Sequence, residues 1–499
     1  MNQNNISATE LFQRVRELLT LPDLEPKTRN KMMHDTLILC CHEGVKDTKQ
    51  AFGNLFSQVD YLCKARGIKV ADKIAIQTMR RHSNSQEPLS GEDLKYDARA
   101  LTLFISAVFE ERIPHEVNVL IPHINRPFQK GLEINNRRIR CIVKNWDSDF
   151  IRVDIDQDAD EEEYLVRLKD EENHIDHTYL WDLLKEGMQL NLLDCQVKQP
   201  IITPRLIVVE PDYLVDISSI ATCFTAFGHH PLLYLLNLMK PRANTQATLL
   251  GNFAGAALDD IINSHGKYQV NETVKSNFRE KALEFCTCPW FDAKKFYTDA
   301  SLQAFNLQQV VDILFPHTAS QAKMSAFRGE SLYDRKKAIL EPSFVCEALG
   351  IQGRVDLMTT DCKLLVEQKS GRNMNIETHQ VDPAYHSYQL EPHYVQLLLY
   401  YGVLQHNFKL SNDRVNIRLL YSKYQPQDGL MVVAYYQKLF KEAIEYRNQL
   451  VAASFEIAKE GFEHTLNEFT PEVLNVAGTQ DFFYNKYLKP QIEAITKPL

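Results

Sequence analysis

Residues 353–372 read GRVDLMTTDCKLLVEQKSGR. Two apolar runs, RVDLM and KLLVEQK, flank the polar TTDC, which predicts a β-hairpin. Each run carries acid out of an otherwise buried strand. Asp356 ends the first run, while Glu367 and Lys369 lie two apart on the second. A strand's period of two puts that pair on one face. Two carboxylates at strand ends are hard oxygen ligands of the kind that hold Mg2+ or Mn2+. Such an ion polarises a phosphate and makes hydroxide available at neutral pH. Lys369 beside it is a candidate to orient the water or stabilise developing charge. The plainer alternative is an ordinary hairpin with a surface Asp and a Glu–Lys pair.

Downstream, HYVQLLLYYG (393–402) predicts an apolar helix in which His393, Gln396 and Tyr400 share one face. A single polar row on such a helix needs something polar to face. Its alternative partner is backbone alone. A buried strand, VNIRLLY (415–421), follows, and then amphipathic helix towards the C-terminus. Upstream, SFVCEALG (343–350) reads as another strand and LLGNFAGAALDDIIN (249–263) as a helix. In that helix Leu250, Phe253, Ala257, Leu258, Ile261 and Ile262 recur at helical spacing. Asn252, Gly255 and Asp259 fall on the other face, towards the hairpin.

From about 130 to 210 the period is two: Ile139, Cys141 and Val143 alternate with Arg138, Arg140 and Lys144, and Ile151, Val153 and Ile155 with Arg152 and Asp154. Short strands with one helical insert near YLWDLLKEG predict a small β-barrel. Arg138, Arg140, Lys144 and Trp146 are candidates to track single-stranded DNA by charge and stacking; the alternative is a solvated barrel face. DIDQDADEEEYL (154–165) imitates a calcium loop, but Ala159 stands where the turn needs Gly and Leu165 where a bidentate Glu belongs. It reads as a solvated acidic hairpin. The first 125 residues read as helical, with Phe52, Leu55, Val59 and Leu62 on one face and a polar loop at RRHSNSQEPLSG. His34 and His42 beside Cys40 and Cys41 read as bundle core.

The 499 residues are 44% hydrophobic and 24% charged, as in a folded globular protein. The formal charge of −9 argues against a nonspecific polycation but leaves room for a local basic groove. No apolar run reaches the ~18–20 residues of a membrane span, and the N-terminus is not a secretory signal. Ten cysteines without a compact spacing ladder predict free thiols in a reducing compartment, the cytoplasm.

In combination these motifs resemble the RecB-like branch of the PD-(D/E)XK nucleases, and most closely the nuclease module of the replication flap nuclease–helicases. That family shows G-[LI]-x-G-[KR]-[IV]-D, then E-x-K-[ST]-G, then H-x-x-Q-x-x-x-Y. Here these are GIQGRVD, EQKSG and HYVQLLLY. Upstream, PRLIVVEPDYLVDISSIA and LLGNFAG stand in the family's order, and Glu341 falls where it often has an acid. The resemblance covers about 205 to 410. It implies a restriction-endonuclease-like α/β core at 213–445 preceded by an OB-like β-barrel at 126–212. With the helical domain read at 1–125, which the resemblance does not cover, and a helical tail or linker at 446–499, the chain is expected to be a multidomain α+β protein. The resemblance also implies a metal-dependent deoxyribonuclease acting on single-stranded or flap DNA in replication, recombination or repair. The rival is a degenerate nuclease fold that binds DNA or serves as an adaptor.

On this reading Asp356 and Glu367 bind Mg2+ or Mn2+ with help from the Gln368 carbonyl. Lys369 positions water, Gln396 and Tyr400 orient the strand or support Lys369, and Arg354 and Arg372 meet phosphates. Two departures stand out. The family's His, four residues after the Gly of LLG, is Gly255 here, and Asp259 is the nearest substitute ligand. No Cys follows Cys362, so the iron–sulfur cluster of many members is not expected. There is no G-x-x-x-x-G-K-[ST], so a helicase motor would belong to a longer form of the protein or to a separate chain.

Overall fold

The structure, a computed structural model, describes residues 6–21, 25–84, 91–126, 132–155, 163–225, 228–239, 244–264, 268–380, 388–410, 414–461 and 490. The chain is mixed α+β. Its central sheet has six strands in the order Ala51–Phe52, Leu430–Val432, Asn416–Tyr421, Leu364–Lys369, Leu357–Thr359, Ala338–Leu340. The middle pair is parallel, Leu364 opposite Asn416 and Lys369 opposite Tyr421. A parallel pair needs a crossover, and the helix Glu391–Phe408 lies on that connection.

Both faces of the sheet are covered, which is why its strands read as nearly continuous apolar runs. Leu364 and Val366 pack under the helices Gln246–Asn263 and Ala293–Leu314 with Leu249, Phe253 and Leu307. Leu365 points the other way, into Val395, Leu398 and Tyr394 of Glu391–Phe408 and the flank of Gln437–Glu460. Glu367 and Lys369 share the phase of Leu365, so they face Glu391–Phe408.

The run IQGRVDLMTT is not one strand. Ile351–Arg354 joins Ser343–Cys346 and Val215–Asp216 in a small separate sheet, and Leu357–Thr359 enters the central one. Val355 and Asp356 form the step between them.

A closed barrel follows the order Asn136–Trp146, Phe150–Ile155, Tyr164–Arg167, Ile201–Val209, Gln189–Lys198. Its pairs are antiparallel apart from Tyr164–Arg167 with Ile201–Val209. Ile139, Cys141, Val143, Ile151 and Val153 fill the inside. The register shifts between Val143 and Asn145. One extra residue reverses the alternation beyond it, so Trp146 packs on the barrel core, contrary to the outward position that simple alternation gives it. The helical insert is only a short 3-10 turn, Thr178–Leu180. Residues 156–162 of the acidic stretch lie outside the described residues.

The helices Ala8–Thr20, Pro26–Val45, Leu55–Ala65, Val70–Ser83 and Gly91–Phe109 enclose Leu11, Leu37, Cys40, Cys41, Leu62, Leu101 and Phe104. Ser7 and Glu10 close a capping box on the first of them. The bundle is not separate from the rest: Ala51–Phe52 adds a parallel edge strand beside Leu430–Val432. At the other end of the core, helix Gln437–Glu460 runs through the expected boundary at 445/446. From it Arg447 donates to the carbonyls of Gly350 (3.0 Å), Glu210 (2.9 Å), Tyr213 (2.6 Å) and Val209, bolting the last barrel strand to the core. Gly350 has φ of 60°, and a Cβ there would overlap the guanidinium, so both its backbone and its neighbour require glycine.

Candidate active site

The hairpin and the helix Glu391–Phe408 bring the predicted residues together. Asp356 leaves the step between the two sheets, and its Oδ2 accepts the backbone N–H of Gln368 at 2.6 Å. Lys369 Nζ donates to Glu367 Oε1 at 2.7 Å and to Gln396 Oε1 at 2.9 Å. Gln396 reaches the Tyr400 hydroxyl at 3.5 Å, and that hydroxyl donates to the Arg354 carbonyl at 2.7 Å. A polar chain therefore runs from the Lys369 ammonium to the backbone just before Asp356. Gly353 makes room for it: a Cβ there would stand 2.9 Å from the Tyr400 ring and 3.2 Å from its oxygen.

The electrostatics are those of a site short of positive charge. Glu367 is 2% exposed, and its Oε2 is buried without a hydrogen-bond partner among the described residues. Burial, and then the charge of Asp356, push Glu367 up to about 8 against the pull of Lys369. Burial also raises Asp356 above the usual carboxylate range. Asp259, on helix Gln246–Asn263, rises to about 7 through burial, then the charges of Glu341, Asp260 and Asp356. Glu341 itself donates its N–H to the Asp356 carbonyl at 3.0 Å and pairs with Arg354 at 3.1 Å.

An orphaned carboxylate oxygen beside a second, half-buried acid fits a divalent cation held through oxygen. Among the described residues no three His, Cys, Asp or Glu side chains are drawn together tightly enough to hold an ion. The fit therefore rests on Asp356 and Glu367 as a pair, with Asp259 set back. Gly251, one turn before Gly255, faces Ser370, whose Oγ would lie 3.2 Å from a Cβ there. A Cβ on Gly255 meets nothing within 4 Å, so the place of the expected His is open space.

Three supporting residues had no part in the sequence reading. Gln303 donates to the Ser370 carbonyl at 3.1 Å and accepts from Ser422 Oγ at 2.6 Å. Asn306 donates to the Ser422 carbonyl at 3.0 Å, and Gln368 Nε2 donates to Ser422 Oγ at 2.7 Å. These contacts fasten the ends of the parallel strands from the opposite face to Lys369. Their signal was a pair of amides three apart in an apolar helix, the same signature that marked Gln396. His393 lies 3.1 Å from the Tyr421 hydroxyl and is pushed down to about 3 by burial and then by Lys369. It is a neutral packing group.

The candidate phosphate contacts divide. Arg354 and Arg372 are each 62% exposed and oriented by Glu341 and Glu377 respectively. Lys423, which sequence reading passed over, shares Glu377 at 3.1 Å. Arg372 first, then Lys423 and Tyr424, hold Glu377 down at about 2, overcoming desolvation. On the barrel, Arg140 binds Gln189 and Asp212, Lys144 lies 3.2 Å from Asp154, and Arg138 is exposed. Arg138 and Arg140 line a groove of about 670 Å³ with Tyr164 and Gln199. Trp146, turned inward, is not part of that face. No family model and no curated protein matches the chain.

Proposed function

We propose that this chain is a divalent-metal-dependent deoxyribonuclease of the RecB-like PD-(D/E)XK type. On this reading its core is restriction-endonuclease-like, its barrel OB-like, and its substrate single-stranded or flap DNA. The observation that carries the proposal is the convergence of Asp356, Glu367 and Lys369, with Glu367 Oε2 orphaned and Lys369 held by Gln396. Barrel strands in the order one-two-three-five-four, with three and five parallel, support the OB-like reading.

Asp356 and Glu367 would hold Mg2+ or Mn2+, which supplies Lewis acidity to the scissile phosphate and to water. The chain's own residues do the rest. Lys369, kept in one rotamer by Glu367 and Gln396, presents an ammonium to the attacking water and to the charge that grows on the phosphate. Tyr400 and Gln396 hold that ammonium by a fixed path to the hairpin backbone, a supporting role. Arg354 and Arg372, aimed by their carboxylates, bind flanking phosphates. A helicase motor, in the same longer protein or in a separate chain, is the proposed partner.

The second reading, a DNA-binding or adaptor module that does not cut, draws on the open space at Gly255 and on the lack of a three-carboxylate cluster among the described residues. End-labelled single strands, duplexes and flaps incubated with Mg2+ or Mn2+ separate the two. Cutting by the wild type and none by Asp356→Ala supports the nuclease. Binding without cutting under every metal condition supports the second reading.

A further inference from the structure

A cavity of about 720 Å³ lies at the end of the sheet away from Lys369, between the bundle helix Leu55–Ala65 and the strand starts near Lys363 and Val415. Lys363 and Lys369 are six residues apart along an extended chain, so roughly 20 Å separates it from the carboxylate site. Tyr61, Tyr333 and Tyr435 wall it, and Lys64, Lys363 and Arg414 stand on it.

The three tyrosines come from three distant segments, and each packs against another ring. Tyr61 meets Phe52 at 5.2 Å, Tyr333 meets Phe315 at 6.1 Å, and Tyr435 meets Tyr401 at 4.9 Å. Asn416 donates to the Tyr333 hydroxyl at 2.8 Å. Rigid aromatic walls of this kind suit a flat ring system. The charges favour an anion. Asp60 is shared by Lys64 at 2.9 Å and Lys73 at 2.7 Å, and Asp361 by Lys337 at 3.0 Å and Lys363 at 4.0 Å. Among the described residues that line the cavity, three cations, Lys64, Lys363 and Arg414, stand against two acids, Asp60 and Asp361, in a chain whose net charge is −9. Behind the walls, Arg418 is 1% exposed; its Nη2 pairs with Glu330 at 2.6 Å, and its Nη1 is buried with no hydrogen-bond partner among the described residues.

We propose that this cavity binds a free nucleoside phosphate, the base among Tyr61, Tyr333 and Tyr435 and the phosphates on Lys363 and Arg414. The volume lies within the range of small-ligand sites, which favour the joints between domains. A ligand there touches both bundle and core, so it braces one against the other and stabilises the whole chain by mass action.

The test uses the full chain in EDTA, so that the carboxylate site holds no metal, and the fluorescent N-methylanthraniloyl derivative of ADP as the probe. The expected result is saturable binding and a melting temperature raised by ADP. Lys363→Glu combined with Arg414→Glu is expected to weaken binding about tenfold or more, and Leu332→Trp, at the exposed mouth, to do the same by filling it. All three side chains are exposed, and an unchanged melting temperature without nucleotide verifies the fold. Absence of saturable binding, or binding unaffected in both variants, overturns the proposal. So does loss of binding in Glu367→Gln but not in these variants, which would put the nucleotide in the carboxylate site. An uncleavable single-stranded oligonucleotide that displaces the probe as well as ADP does would assign the cavity to the DNA path and also overturn it.

Discussion

Arg447 and Glu367 are both buried charges, and they are treated in opposite ways. Arg447 is 0% exposed and has no acid partner among the described residues, yet its guanidinium spends its protons on the carbonyls of Val209, Glu210, Tyr213 and Gly350 and on Asn448. Desolvation pulls it down to about 9. Glu367 has one oxygen on Lys369 and the other on no hydrogen-bond partner among the described residues, with a second, half-buried acid beside it. A buried charge with its hydrogen bonds made is a fastener; one left short is costly in the empty protein and gains when a cation arrives. The proposed division of labour follows: Arg447 ties barrel to core, and Glu367 waits for metal.

The contrast breaks most easily at the proposed metal ligands. Asp356→Ala is expected to cut DNA hydrolysis on the order of a thousandfold while leaving the fold intact, since it removes a proposed ligand and one hydrogen bond from the Gln368 N–H but no apolar packing. Comparable turnover of labelled single strands by this variant would remove Asp356 from the chemistry. Arg447→Ala is expected to do the reverse. It leaves several backbone carbonyls unpaired and opens a void, costing about 3–5 kcal/mol in denaturant titration. Activity per folded molecule should survive. A cost below about 1 kcal/mol would mean that water replaces those hydrogen bonds.

Glu367→Gln sharpens the comparison through pH. The folded-state value is raised from 4.5 to about 8, so between those limits the folded chain holds a proton that the unfolded chain has lost. Stability of the metal-free wild type therefore falls as pH rises through that window. The uncharged variant lacks that dependence. It is expected to match the wild type near pH 4 and to melt a few degrees higher near pH 8, with Mg2+ then stabilising the wild type alone. Equal melting curves across the range would show that Glu367 is not strained by its surroundings. Gly353→Ala is a gentler cut at the same site: the new methyl displaces Tyr400 and slackens the path that holds Lys369. The expected outcome is about a tenfold loss in kcat with a stability cost of ~1–3 kcal/mol.

The hairpin was legible because two rules agreed there. Apolar runs marked buried strands, and a spacing of two put Glu367 and Lys369 in one phase. The polar row on Glu391–Phe408 was legible for the same reason, as an exception within an apolar surface. What escaped depended on long-range pairing or local irregularity. Residues 51–52 form an edge strand only because Leu430–Val432 offers one, and no local pattern announces that. The bulge near Lys144 reverses the phase, so alternation put Trp146 on the wrong side. The step at Val355–Asp356 splits an apparently continuous strand between two sheets. Gln303 and Asn306 meet Ser422 from more than a hundred residues away in the chain, and only the fold joins them.

The smallest effect expected is at the helix Gln246–Asn263, where Asp259 and Gly255 pose one question from two sides. Asp259 is raised to about 7 by burial and then by neighbouring acids, so it adds to the negative charge near Asp356 without being drawn into the pair. If it donates an oxygen to the metal, Asp259→Ala should raise the Mn2+ concentration for half-maximal cutting about threefold to fivefold, with little change in the saturated rate. If it only crowds Asp356, the same variant leaves that concentration unchanged and lowers the acid limb of the pH–rate profile, because one repelling charge is gone. Gly255→His asks whether the helix faces the metal at all. A Cβ there meets nothing within 4 Å, and exchanging Gly for His in a helix interior gains a few tenths of a kcal/mol in propensity. The variant should therefore fold at least as well as the wild type. Tighter Mn2+ binding in Gly255→His, with no change in Asp259→Ala, would place the metal within reach of an imidazole from this helix and beyond reach of the carboxylate one turn on. No change in either variant would leave the helix as packing and the metal on Asp356 and Glu367 alone.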